Sequence, residues 1–166
     1  MEWEERVAEL ERRVAALEQR PEPVTGLGEG DLWALEGLRS QLADAGAEDG
    51  GVLFTGTVRL PTQERYEWQY GQVTGALLDS DWTEAADSFA ALGSAVRLRL
   101  LREILGGCRT AAELTGLEGL GTSGQIYHHL RQLTATGWLR SADRGRYEVP
   151  APRVVPLLVV LTAARA

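Results

Sequence analysis

Between residues 81 and 150 one short chemical signal recurs: a capping residue, an acid or amide three places later, and apolar residues at helical spacing beyond it. Asp81-Trp82-Thr83-Glu84, Thr110-Ala111-Ala112-Glu113 and Thr122-Ser123-Gly124-Gln125 all have this form. In such a box the first side chain satisfies a free amide of the opening turn, and the fourth reaches back to the amide of the cap. Behind the first box Trp82, Ala85, Ala86, Phe89 and Leu92 share one helical face. Ser94 opens a second helix with Val96, Leu100, Leu101, Ile104 and Leu105 apolar, stopped by Gly106-Gly107. A short helix from Thr110 to Leu114 follows, then a longer one from Thr122 to Thr136 that ends at Gly137. The apolar period then drops to two. Trp138 to Ala142 and Gly145 to Val149 alternate around Asp143-Arg144-Gly145, a hairpin tip with a glycine.

This order predicts a mainly α fold with small β, in which residues 81–150 form a winged helix-turn-helix. The rest of the chain is arranged around it. At the N-terminus Trp3, Val7, Leu10, Val14 and Leu17 recur in steps of four and three, a heptad seam with Arg6, Arg13 and Arg20 at g and Glu4, Glu11 and Glu18 at e. Residues 1–20 are therefore expected to be a short coiled-coil dimerisation helix in a parallel homodimer, the alternative being an amphipathic helix packed on its own domain. Residues 21–30, with two prolines and three glycines, read as a linker. In residues 31–80 Asp31 caps a helix through Leu32, Leu35, Leu38 and Leu42. Val52, Phe54, Val58 and Leu60, then Tyr66, Trp68 and Tyr70, form a hairpin with one aromatic face. Gln72 to Leu78 is a candidate third strand, and the helix at 31–45 would cover the hairpin in a small α+β module. Residues 151–166, rich in Val and Leu, predict a terminal helix that is buried or faces a partner, its apolar core too short for a membrane.

Charge divides the chain in two. Its net charge is −7, and every basic residue is arginine. Residues 1–80 hold 7 Arg against 16 acids, whereas residues 81–166 hold 10 Arg against 8 acids. Phosphate neutralisation by cations drives most nucleic-acid affinity, so a nucleic-acid partner is expected only at the second half. Cys108 is the single cysteine, which leaves no intramolecular disulfide and no metal site of paired cysteines. The start, Met-Glu-Trp-Glu-Glu, lacks the basic and apolar run of a secretory signal, so a cytoplasmic location is expected.

The candidate function lies on the helix from 122 to 136. At 100° per residue, Ile126, Leu130 and Leu133 cluster on one side and must face the core. The opposite side carries Gly124, Gln125, His128, Arg131 and Gln132, flanked by Ser123 and Tyr127. Gln and Arg bond adenine and guanine edges in pairs, Gly124 allows close approach, and Ser123 with the helix N-terminus can meet a phosphate. Arg140, Arg144 and Arg146 lie on or beside the hairpin tip, placed for the DNA backbone. The competing reading is a solvated helix surface. His128 and His129 point about 100° apart and cannot ligate one metal as an i, i+4 pair would. His129 is expected at the core edge with its nitrogens satisfied, and His128 on the surface.

Phe89-Ala-Ala-Leu-Gly-Ser-Ala-Val-Arg-Leu-Arg-Leu-Leu101, Thr110-Ala-Ala-Glu-Leu114, Ser123-Gly-Gln-Ile-Tyr-His-His-Leu-Arg-Gln-Leu133 and Gly137-Trp-Leu139 together resemble the ArsR-type winged helix-turn-helix of bacterial regulators. The resemblance covers about half the chain. It implies a homodimer on a two-fold operator in double-stranded DNA, Ser123 to Gln132 in the recognition helix, and the terminal helix in the dimer contact. Metal-sensing members carry a Cys-x-Cys pair near the helix matching Thr110 to Leu114, or Asp and His ligands in the terminal helix. Cys108 stands alone here and the terminal helix has neither, so no metal and no cofactor is expected. Gly116 to Gly121 lengthens the turn before the recognition helix.

With metal set aside, a small-molecule or protein effector is expected at the 31–80 module. Trp33, Phe54, Tyr66, Trp68 and Tyr70 would line a pocket closed by Arg59 or Arg65, or would be the core of a small sheet. An enzyme is not expected, since no Ser-His-Asp order, phosphate loop or metal cluster is present. The alternative from another class is a winged-helix adaptor that binds protein and never touches DNA.

Overall fold

The computed structural model describes residues 3, 6–9 and 32–165, and the chain divides into two compact units at Gly37 and Leu38. In the first unit residues 3 and 6–9 are helical, with Trp3 and Val7 exposed. Leu10, Val14 and Leu17 of the heptad seam, the linker 21–30 and the Asp31 cap lie outside the described residues.

The described fold is mainly helical with two antiparallel hairpins. Helix α1 (Trp33–Asp44) precedes strands β1 (Gly51–Arg59) and β2 (Arg65–Val73), then the short helix α2 (Thr74–Leu78). A 3-10 turn (Trp82–Ala85) leads into α3 (Ala86–Leu92), α4 (Ala95–Leu105), α5 (Ala111–Thr115) and α6 (Ser123–Ala135). Strands β3 (Arg140–Ala142) and β4 (Arg146–Glu148) form the second hairpin around a 3-10 turn at Asp143–Gly145, and α7 (Ala151–Ala163) ends the chain.

Two of the three expected capping boxes form in full, Thr110 with Glu113 and Thr122 with Gln125. Asp81 caps differently. Its Oδ1 accepts from the Thr83 amide at 2.9 Å and the Thr83 hydroxyl at 2.7 Å, and the residues behind it wind into a 3-10 turn rather than an α-helix. The expected apolar face is not buried as a whole: Leu92 is buried, but Trp82 and Phe89 stand 64% and 63% exposed.

One core joins the turn end of the β1–β2 hairpin to α3, α4, α5, α6, β4 and α7. Leu100, Leu101 and Ile104 of α4, Leu114 of α5, Ile126, Leu130 and Leu133 of α6, and Val154 and Leu157 of α7 are almost fully buried. Each such side chain contributes roughly 1.5–3 kcal/mol on leaving water. Leu120, buried in the turn between α5 and α6, fastens the lengthened glycine-rich segment. Gly121, at φ +96, gives the chain its left-handed step into the Thr122 cap.

The β1–β2 register pairs Phe54 with Tyr70, Gly56 with Trp68 and Val58 with Tyr66, so the aromatic face forms as the alternation requires. Its cover differs from the expectation. Helix α7 lies on this face, close enough that a Cβ at Gly56 would sit 2.6 Å from Val155 Cγ1. The C-terminal part of α1 instead adjoins the opposite face, where Leu42 lies beside Gly51. No third strand forms at Gln72 to Leu78. The chain coils into α2 after Val73, and the Leu77 carbonyl accepts from Trp82 Nε1 at 2.9 Å and from Ser80 Oγ at 2.7 Å. The apolar side of α7 is spent within the chain, with Val154, Val155 and Leu157 buried. Among the described residues no helix is long and apolar enough to cross a membrane.

Candidate nucleic-acid interface

Helix α6 presents two faces of opposite chemistry. Ile126, Leu130 and Leu133 are wholly buried, while Ser123, Gly124, Gln125, Tyr127, His128, Arg131 and Gln132 are exposed. The Thr122 cap places the helix N-terminus at the surface, and a Cβ at Gly124 would meet nothing within 4 Å, so that turn is open to close approach.

Hydrogen bonding separates the exposed residues into two groups. Gln125 Oε1 accepts from the Thr122 amide at 2.8 Å, closing the capping box. Gln132 Oε1 accepts from Arg97 Nη1 at 2.8 Å. The same Arg97 donates to the carbonyls of Ala90 and Ala91 at the C-terminal end of α3. Both glutamines thus have an intramolecular task, and their carbonyl oxygens are not free to read a base. Tyr127, His128 and Arg131 form the rest of the outward row. The role of Arg97 was missed in the sequence, although it stands in the Leu-Gly-x-x-x-Arg run already quoted.

The two histidine rings lie 5.8 Å apart and tilted by 58°. His129 is half-buried at the core edge, but its Nδ1 is buried with no hydrogen-bond partner, contrary to the expectation that it is satisfied. Among the described residues no group of three or more His, Cys, Asp or Glu side chains is placed to hold a metal ion.

The β3–β4 hairpin follows α6 directly and is anchored at its root by buried Trp138, Leu139 and Val149. The Trp138 ring carries the Arg153 guanidinium 4.9 Å from its centre, and its Nε1 donates to the Ser88 carbonyl at 3.2 Å. Arg146 is exposed on β4, and Arg144 lies in the turn at the tip. Arg140 forms a cross-strand ion pair with Glu148, which neutralises one of the three expected cations.

Of the residues expected to line an effector pocket, Phe54, Tyr66, Trp68 and Tyr70 share one face of the hairpin, and Arg59 and Arg65 do not join them. Phe54 and Tyr70 have ring centres 5.9 Å apart, and Tyr66 packs against the core. Arg59 pairs in register with Arg65 at the far end of the hairpin, and both alternate to the face opposite the aromatics. Neither can close a pocket on the aromatic side. Trp33 belongs to the other compact unit. Tyr70 instead joins Leu77, Trp82, Phe89 and Arg153 around an open groove of about 970 Å³. Trp82 and Phe89, which share one helical face by their spacing, stand at this groove rather than in the core.

Compared with protein-family models, curated proteins and solved structures, the chain gives no match.

Proposed function

We propose that the chain is a sequence-specific, DNA-binding transcriptional regulator of winged helix-turn-helix type, resembling the ArsR-type regulators and acting as a homodimer on a two-fold site. One observation carries the reading: a capped helix with an exposed row of Ser123, Gly124, Tyr127, His128 and Arg131, followed at once by a hairpin bearing Arg144 and Arg146. A helix with this face suits the major groove, and an adjacent arginine-bearing hairpin suits the backbone. Arg131 is the principal base-reading side chain, since Arg matches the two acceptors of a guanine edge. The Ser123 end positions a phosphate.

Selection of bound fragments from genomic DNA tests this. Enriched fragments are expected to share a two-fold motif, and Arg131→Ala is expected to weaken binding about 10-fold or more while thermal stability is retained. A mutant that binds as tightly as the parent would remove α6 from the interface.

The second reading, a winged-helix adaptor for a protein partner, is favoured by the exposed Trp82 and Phe89. It requires that no DNA fragment be retained at low salt, and that substitution of these two residues abolish capture of the partner.

A further inference from the structure

The turn of the β1–β2 hairpin reaches the root of the β3–β4 hairpin through one polar cluster. Glu64, in that turn, takes the Arg109 guanidinium in a two-pronged ion pair through both carboxylate oxygens. The Thr62 hydroxyl donates to Glu64 Oε2 at 2.7 Å. Arg109 is only 16% exposed in its side chain, and its Nε is buried without a hydrogen-bond partner. The backbone of the same residue holds the second hairpin: the Arg109 carbonyl accepts from the Tyr147 amide at 2.7 Å, and the next residue, Thr110, bridges to Arg146. The Arg109 amide donates to Glu113 Oε2 at 3.0 Å, tying the segment to the cap of α5.

We propose that Glu64 is a positioning residue for the β3–β4 hairpin, acting through Arg109 to fix the strand that carries Arg146, and that it thereby sets how the wing meets DNA. The part concerning DNA rests on the function proposed above; the positioning itself does not. The arrangement needs the charge as well as the contact. A bidentate carboxylate–guanidinium pair is directional, and Arg109 without that carboxylate is a largely buried cation that has lost its hydrogen-bonded counter-charge. The groups facing Glu64 are Arg109, Thr62 and Tyr66, with Glu148 acting on Arg109 from β4. The hydrogen bond from Arg109 is the main reason the Glu64 carboxyl titrates below the usual 4.5, and desolvation, followed by the Glu64 charge, raises the Tyr66 hydroxyl against the opposing pull of Arg109. Because its folded value is depressed, the contribution of Glu64 is fully present above its unfolded value. It is lost as pH falls through the folded one. The clamp is therefore intact at neutral pH and opens in acid.

The test uses the full chain and the variants Glu64→Gln, which keeps the shape and removes the charge, and Glu64→Ala. Amide hydrogen exchange is followed at Tyr147 and Arg146, with the buried Leu130 amide on α6 as reference. The expected result is exchange at Tyr147 about 10-fold faster in Glu64→Ala, and intermediate in Glu64→Gln, with the Leu130 amide unchanged. Unaltered Tyr147 exchange in a folded Glu64→Ala, or equal acceleration at Leu130, overturns the proposal. Arg109→Gln supplies the second arm: combined with Glu64→Ala it is expected to add little to the acceleration, whereas an additive effect shows that the two residues act separately and refutes it. On DNA, Glu64→Ala is expected to lower the salt slope by about 2, as when one phosphate contact per protomer of the dimer is lost. Failure of the parent to bind DNA would remove the proposed function and leave the exchange result to decide the positioning.

Discussion

The α4–α6 block and the β1–β2 hairpin are both built from short, strongly patterned segments, yet they are specified in different ways. In the block the starts of α5 and α6 are chemical and local. Thr110 and Thr122 each close a reciprocal box within four residues, and Ile126, Leu130 and Leu133 reach full burial from helical spacing alone. In the hairpin the register is local but the environment is not. Part of its aromatic face is covered by α7, about a hundred residues further along the chain, and Gly56 leaves the space that Val155 occupies. The difference teaches that a local pattern can fix which side of an element is apolar without fixing what will cover it.

The comparison can be broken most directly in the block. Ile126→Ala is expected to cost about 2–5 kcal/mol by denaturant unfolding, because a fully buried side chain leaves a cavity that its neighbours fill only in part. A loss below about 1 kcal/mol would mean that α6 is not the wall of the core. In the hairpin, Gly56→Val is expected to cost about 1–3 kcal/mol through overpacking against α7. Combining it with Val155→Ala should cost less than the two changes summed, and strict additivity would separate the two elements. A smaller effect is expected at the cap: Thr122→Ala should lose about 1 kcal/mol, and Gln125→Ala in the same background should add little, since the box acts as a unit. The smallest belongs to Phe89→Ala. With the ring 63% exposed, the change should stay within about 0.5 kcal/mol, against the about 3–5 kcal/mol of a buried phenylalanine.

Phe89 also marks where the sequence stopped being legible. Its spacing from Trp82, Ala85 and Leu92 fits one helical stripe, but the stripe is divided: the first turn winds as a 3-10 helix behind the Asp81 cap, and within α3 only Ala91 and Leu92 reach the core. The pitch change lies below what apolar periodicity resolves. Gln72 to Leu78 was ambiguous for a related reason: a short apolar run suits strand or helix equally, and the bonds that Trp82 and Ser80 make to the Leu77 carbonyl accompany the helical form. In the candidate interface, the exposed face of α6 was legible to the residue, because 100° per residue divides it cleanly from the buried one. The tasks of Gln125 and Gln132 were less so. Gln125 was visible as the fourth member of a capping box and was also counted as a base reader, although its carbonyl oxygen serves the box. Gln132 is held by Arg97 from 35 residues earlier, and Arg140 by Glu148 across a hairpin. Long-range pairs of this kind leave no local trace. The Glu64–Arg109 pair, which joins segments 45 residues apart, was invisible for the same reason.

The central claim, that α6 and the hairpin after it form a DNA-binding surface on an otherwise acidic protein, is tested most directly by the salt dependence of binding to a selected fragment. Three phosphate contacts per protomer in a dimer give an expected slope of log affinity against log salt of about −5, reduced by about 2 in Arg144→Ala, one contact per protomer. A slope near zero, or no retention at low salt, would contradict the claim.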